Sequence, residues 1–215
     1  MIYGEYEPEL VQSLKSRIQP DRDAIDVGAN IGLFTVLMSG LLAAHRRVLA
    51  IEPTPGALYY LHKNLKLNCR AGNVIVFEGV ATNIAGEFAI NVVPDKEEFS
   101  SIAELVHPAV KGKPSKQLRV AGDTIDNLVE RFGLQPGFIK IDTEGAEFGV
   151  LSGARQTVAK YRPFIVCESW PDELVIAAGG EAGAVTRLLR SYGYDVLDHA
   201  GEIVAVPLAP GAEAT

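Results

Sequence analysis

The chain has 215 residues, which suits one domain with a sizeable core. Its 47% hydrophobic and 22% charged residues exclude a disordered or low-complexity chain. A net charge of −7 disfavours non-specific nucleic-acid binding, because phosphate backbones are repelled unless cations are concentrated. The two cysteines, Cys69 and Cys167, lie far apart and form no CxxC or Cys/His pattern, so reduced, buried thiols are expected rather than a disulfide scaffold or a zinc site. No run approaches the roughly 18 apolar residues of a membrane span. The polar, acidic start, Met1–Glu9, lacks the basic-then-apolar pattern of a signal peptide, so the expected location is cytoplasmic, with no membrane partner.

Residues 1–23 are expected to form an N-terminal cap on a single domain spanning 1–215. Short Val/Ile-rich runs then recur at 24–27, 47–51, 74–77, 138–141 and 164–167, and their near-continuous apolar character suits parallel strands covered on both faces. Helical stretches are predicted at 31–44, 55–67, 146–161 and 172–192, the last interrupted at Gly179-Gly180. Strand–helix alternation of this kind is the signature of a doubly wound α/β sheet. Residues 80–120 depart from it: Glu87–Val93 and Gln117–Val120 read as extra strands. The Pro-, Lys- and Ser-rich stretch around 94–116 reads as a substrate lid. Tyr194–Leu197 and Ile203–Val206 flank a Gly-containing turn and predict a closing antiparallel hairpin, followed by a flexible tail at 209–215.

The segment Asp26-Val27-Gly28-Ala29-Asn30-Ile31-Gly32 follows the first strand and opens the first helix. Ligands of open α/β sheets bind beyond the carboxyl ends of the strands, at the point where strand order reverses. Gly28 permits a sharp turn, Asn30 tolerates left-handed geometry, and Gly32 lets the helix sit close. The spacing is not the GxGxxG of dinucleotide sites, since Asn30 replaces the glycine that approaches a pyrophosphate. A phosphate-free ligand with an amino-acid end, such as S-adenosylmethionine, fits better. Glu52, followed by Pro53, ends the second strand and is placed to accept from ribose hydroxyls.

A second dense stretch is Ile139-Lys140-Ile141-Asp142-Thr143-Glu144-Gly145-Ala146-Glu147. Asp142 and Glu144 share a face if the chain stays extended, and Glu168 ends the next strand, so several carboxylates gather at one sheet edge. They could deprotonate a substrate hydroxyl, contact a cofactor, hold a divalent cation, or serve as caps and salt-bridge partners, with Lys140 as the natural counter-ion.

Asp26–Gly32, Ile51-Glu52-Pro53, Asn64–Asn68, Asp123-Thr124-Ile125-Asp126 and Ile139–Glu147 with Leu151-Ser152-Gly153 together resemble the FkbM family of methyltransferases from about Ile25 to Glu168. The resemblance implies a class I, Rossmann-like methyltransferase with a seven-stranded, mostly parallel sheet of order 3-2-1-4-5-7-6, helices on both faces and a C-terminal antiparallel hairpin. It implies an S-adenosylmethionine-dependent O-methyltransferase acting on a hydroxyl of a sugar, polyketide or other secondary metabolite. Asp26, Gly28, Ala29, Asn30 and Gly32 would line the methionine end of the cofactor, and Glu52-Pro53 the ribose. Gly79, Val80 and Ala81 would flank adenine, and Asp142 would lie near the sulfonium. Ser100-Ser101 resembles a serine-rich stretch of the family near the substrate mouth. A small hydroxyl acceptor and a homo-oligomer are the partners expected; a divalent metal is not.

An alcohol must lose its proton as it is methylated, and the candidates for that base are Asp142, Glu144 and His107, the last in the lid. Trp170 and Tyr3/Tyr6 are candidate pocket walls. The alternatives are an NAD-dependent oxidoreductase on the same architecture and a non-catalytic subunit that has kept the cofactor fold.

Overall fold

In a computed structural model, which describes residues 8–68, 72–93, 109–199 and 201–209, the elements run in chain order. They are α1 (Pro8–Arg17), β1 (Asp23–Val27), α2 (Leu33–Leu41), β2 (Val48–Glu52), α3 (Pro55–Asn68), β3 (Val74–Ala81), β4 (Gly86–Val92), β5 (Lys116–Asp123), α4 (Ile125–Phe132), β6 (Pro136–Ile141), α5 (Glu147–Ser152), α6 (Arg155–Tyr161), β7 (Phe164–Glu168), α7 (Asp172–Ala177), α8 (Ala184–Ser191), β8 (Tyr194–His199) and β9 (Glu202–Pro207).

One sheet carries the order β4-β5-β3-β2-β1-β6-β7-β9-β8. The seven-strand order expected from the sequence lies inside it as β3-β2-β1-β6-β7-β9-β8, with β9 antiparallel to both neighbours. The correction is the count: β4 and β5 lengthen the sheet to nine strands. β5 runs parallel to the end of β3 through Gly79–Ala81, and β4 pairs antiparallel with β5. The chain moves outward from β1 to β2 to β3 and later returns to β6, which lies directly beside β1. The switch point of the sheet is therefore between β1 and β6, where a ligand crevice is expected.

Alternation along the strands splits the interior in two. Ile25, Val27, Leu49, Ile139 and Ile165 face a core closed by α4, α5, α6 and α8 through Leu128, Val150, Val158 and Leu189. Ala24, Val48, Phe138 and Phe164 face the other way, onto Leu14 of α1 and Phe34 and Met38 of α2. All residues of β1, β2 and β6 are buried, which explains their near-continuous apolar texture.

Two helices were not foreseen, α1 and α4. The signals for α4 are present in the sequence: Thr124 caps it by accepting from the Asn127 amide, and Gly133 ends it in left-handed geometry. The stretch expected as one helix at 146–161 is two, α5 and α6. Asp126 explains the break, because its carboxylate accepts from the amides of Gln156 and Thr157 at 2.9 and 2.7 Å and caps the first turn of α6. The 172–192 stretch likewise divides into α7 and α8 around the glycines at 179, 180 and 183. The expected lid is described only from residue 109 onward. His107, Ser100, Ser101, Tyr3, Tyr6 and Cys69 lie outside the described residues.

Candidate active site

The turn after β1 is left-handed three times, at Gly28 (φ 74°), Asn30 (φ 49°) and Gly32 (φ 87°). The Gly28 and Ala29 amides both donate to the Ile51 carbonyl at 3.0 Å, which ties the turn to the end of β2. The Asp142 amide donates to the Val27 carbonyl at 3.1 Å, and a Cβ on Gly28 would run into the Asp142 carbonyl. Gly28 thus lets the ends of β1 and β6 meet at the switch point. Gly32 is needed for a related reason, since a Cβ there would strike the Leu61 side chain of α3.

Glu52 is buried and holds this turn from the side. Its Oε2 accepts from the Asn30 amide at 2.8 Å, and its Oε1 accepts from the Thr54 amide and hydroxyl at 2.9 and 2.7 Å. A carboxylate has about four acceptor positions, so about one remains for a further donor. Burial pushes its pKa up, while the donors from Thr54 and Asn30 oppose that shift. Pro53 follows at the crevice edge, half-buried.

Asp26 lies beneath the turn rather than in it. It is wholly buried; Oδ2 accepts from the Thr35 hydroxyl at 2.5 Å and Oδ1 faces the Lys140 ammonium at 3.7 Å. Asp26 and Lys140 are paired across β1 and β6. The Lys140 ammonium reaches 3.1 Å from Asp142 Oδ2 and sits 5.1 Å above the Phe34 ring. Burial raises the Asp26 pKa, with Lys140 and Thr35 pulling it back down. Lys140, read from the sequence only as a counter-ion, joins the glycine turn to the acidic edge. Its identity as a lysine inside an otherwise apolar strand is the signal that could have singled it out.

Beyond β6 the chain does not stay extended: Glu144 has φ 54° and Gly145 φ 99°. The fold of this loop comes from Glu147, whose Oε1 accepts from the Thr143 amide and hydroxyl and from the Gly145 amide at 3.1, 2.9 and 3.0 Å. Glu147 is therefore a buried staple of the loop, with its pKa raised by burial. The loop still gathers Asp142 and Glu144 with Glu168, and carboxylate oxygens of the three lie within 4.8 Å of one another. Glu168 accepts from Trp170 Nε1 at 2.9 Å. Its pKa is pushed up to about 8, first by burial and then by the charges of Asp142 and Glu147. Three oxygen ligands of this kind suit a hard cation, but Asp142 already has the Lys140 ammonium as its positive partner.

Gly79, Val80 and Ala81 are buried within β3, and a Cβ on Gly79 would meet the Ala121 carbonyl and the Phe77 ring. Contact between strands thus accounts for this glycine. Cys167 is fully buried with its thiol pKa pushed well up by burial and the nearby Glu147 and Glu168, so it is not a nucleophile. Tyr59 and Lys63 lie one turn apart on α3. They form a pair on the exposed side of α3, with Nζ 2.6 Å from the phenol oxygen.

Beside the acidic edge opens a cavity of about 470 Å³, walled by Phe148, Trp170, Val175 and Val185 and reaching Glu168. Trp170, named from the sequence as a candidate wall, is one.

This arrangement, a left-handed glycine turn at the switch point with carboxylates on the adjacent strand ends, is built on the fold of class I methyltransferases. A FkbM methyltransferase from Methylobacillus flagellatus superposes with a TM-score of 0.60 at 17% identity, over 94% of this chain and 47% of that one. An O-methyltransferase from Bacillus cereus, solved in complex with SAH, superposes with a TM-score of 0.54 at 13% identity, over 96% of this chain and 84% of that one. The profile of the Methyltransferase FkbM domain matches residues 26–196, and the chain belongs to that family. Among curated relatives, methyltransferase sdnD of Sordaria araneosa is 26% identical over 80% of this chain and 73% of its own length. The AMB antimetabolite synthetase AmbE of Pseudomonas aeruginosa is 28% identical over 89% of this chain but only 10% of its own length. Family membership favours methyl transfer over the oxidoreductase alternative. No helix among the described residues is long and apolar enough to cross a membrane.

Proposed function

We propose that the chain transfers a methyl group from S-adenosylmethionine to a hydroxyl of a small molecule. The observation that carries this reading is the left-handed turn Gly28–Gly32, clamped by Glu52 and abutting Asp142 at the sheet's switch point. Gly28 is half-buried and Asn30 exposed, so the turn is reachable from solvent, and Glu52 keeps an acceptor position for a sugar hydroxyl. Residues 28–32 would hold the methionine end, Glu52 the ribose and Asp142 the neighbourhood of the sulfonium. S-Adenosylmethionine, when bound, supplies an electrophilic methyl group. The Bacillus cereus enzyme of this fold, solved with SAH, supports the choice of cofactor.

What the chain's own residues contribute is alignment and proton removal. Asp142 is half-buried, and its Oδ2 is fixed by Lys140, which leaves Oδ1 to accept the proton of the acceptor hydroxyl. Glu144 and Glu168 lie close enough to pass that proton onward, and a pKa of about 8 suits Glu168 to hold it near neutral pH. The net charge of −7 favours a small acceptor over a nucleic acid.

The test is Asp142→Asn in a methyl-transfer assay read by mass spectrometry with extracted metabolites as acceptors. Turnover is expected to fall by at least about a hundredfold, while calorimetry shows S-adenosylmethionine still bound. Wild-type turnover in this variant would remove Asp142 from the chemistry.

A further inference from the structure

We infer that the cavity between α5, α7, α8 and the ends of β7 and β9 is the acceptor pocket, and that it selects an acceptor carrying a protonated amine on an apolar body. This inference deepens the proposed methyl transfer and rests on it. The first observation is position. Glu168 belongs both to the cavity wall and to the carboxylate group with Asp142 and Glu144, so a molecule filling the cavity reaches the proposed proton acceptor. The volume of about 470 Å³ falls within the range of small-molecule pockets.

The second observation is the make-up of the walls. Phe148, Trp170, Val175, Val185 and Ile203 supply a broad apolar surface. The loop passes beneath Trp170 at Gly145, whose φ of 99° favours glycine. An aromatic wall of this kind takes a flat or aliphatic body and attracts a cation to its face.

The third observation is charge. Among the described residues, the cavity is lined by Glu147, Glu168, Asp172, Glu181 and Asp198 and by no lysine, arginine or histidine. Glu147 is engaged by the loop amides, and Glu181 pairs with the exposed Arg187. Asp172 and Asp198 remain at the rim, with Asp198 accepting from the Ser169 hydroxyl at 3.1 Å. An anionic acceptor would be repelled, and a neutral one would leave these carboxylates without an ionic partner. A cationic amine satisfies them.

The protein reports its own occupancy, because Trp170 is the only tryptophan in the chain. Trp170 fluorescence is titrated with tyramine, its neutral analogue 4-ethylphenol and its anionic analogue 3-(4-hydroxyphenyl)propionate. The expected result is binding of the amine at least about tenfold tighter than the neutral compound, with the acid weakest. Asp198→Asn and Asp172→Asn should each reduce the amine preference, and Val185→Trp should block all three probes in a calorimetric version of the assay. Equal affinity for the three probes, preference for the acid, or undiminished binding to Val185→Trp would overturn the inference. S-Adenosylmethionine is titrated in parallel. If it binds while the amine preference is missing, the acceptor assignment alone fails; if it does not bind, the methyl-transfer reading fails as well.

Discussion

Replacing Lys140 by Met removes one buried cation from between Asp26 and Asp142 while keeping the volume of the stem. The ammonium is 3.7 Å from Asp26 Oδ1 and 3.1 Å from Asp142 Oδ2, and its side chain is 4% exposed. Removing one partner of a buried pair costs about 3–5 kcal/mol, because the other charge is left uncompensated. Asp26 sets a ceiling on that cost, since the folded protein can take up a proton there. For a carboxylate with an ordinary value of 3.8, folding in the neutral form at pH 7 costs about 4 kcal/mol. A destabilisation of about 3–4 kcal/mol at pH 7 is therefore expected.

The pH dependence follows from the sign of the shift. Burial already raises the Asp26 pKa, and loss of Lys140 raises it further. A group raised in the folded state contributes stability below its unfolded pKa and loses it as pH rises through the folded value. Glu168 loses the same countercharge, with the same sign. The penalty of Lys140→Met should thus shrink by roughly 1.4 kcal/mol per pH unit from pH 7 toward pH 5. Urea unfolding of both proteins at pH 5, 6 and 7 measures it, and Asp26→Asn added to Lys140→Met should recover part of the loss at pH 7. A penalty below about 1 kcal/mol at pH 7, or one independent of pH, would refute a buried ion pair at the heart of the site.

Two further outcomes follow from the same geometry. Gly28→Ala forces a Cβ onto the Asp142 carbonyl at φ 74°, so it should cost roughly 3 kcal/mol or more in urea unfolding; a near-neutral effect would mean that β1 and β6 part easily. Glu168 has its pKa raised from 4.5 to about 8, so its contribution to stability is full below 4.5 and is lost as pH climbs through 8. Glu168→Gln removes that loss, and the variant should gain at least about 1 kcal/mol on wild type between pH 5 and pH 9; a constant difference across this range would contradict the shift.

The sequence is legible where local chemistry decides the outcome. Four of the five parallel strands, β1, β2, β6 and β7, announce themselves because both their faces are covered, whereas Val74–Phe77 of β3 is apolar but only half-buried; the closing hairpin does so because a glycine turn separates two alternating runs. The glycine turn is legible too, since left-handed geometry restricts the residue choice at 28, 30 and 32. What escaped depends on contacts distant in sequence. Nothing local tells that Asp26 pairs with Thr35 and Lys140, or that Glu147 folds back on the loop before it. The two strands that extend the sheet, β4 and β5, are half-visible as runs at 87–93 and 117–120. Their place at the β3 edge follows from a pairing that sequence spacing does not encode. The break between α5 and α6 needs the Asp126 carboxylate from thirty residues earlier.

The central claim is that the turn between β1 and α2, with Glu52 beside it, holds S-adenosylmethionine. Calorimetric titration of that compound into wild type and Glu52→Ala tests it most directly, with urea unfolding to establish that the variant remains folded after losing about 2–4 kcal/mol from its three orphaned donors. Wild type should bind one equivalent, and the variant should bind about 10- to 100-fold more weakly, the worth of one hydrogen bond from ribose to a charged acceptor. No binding to folded wild type, or equal affinity in the two proteins, would contradict it.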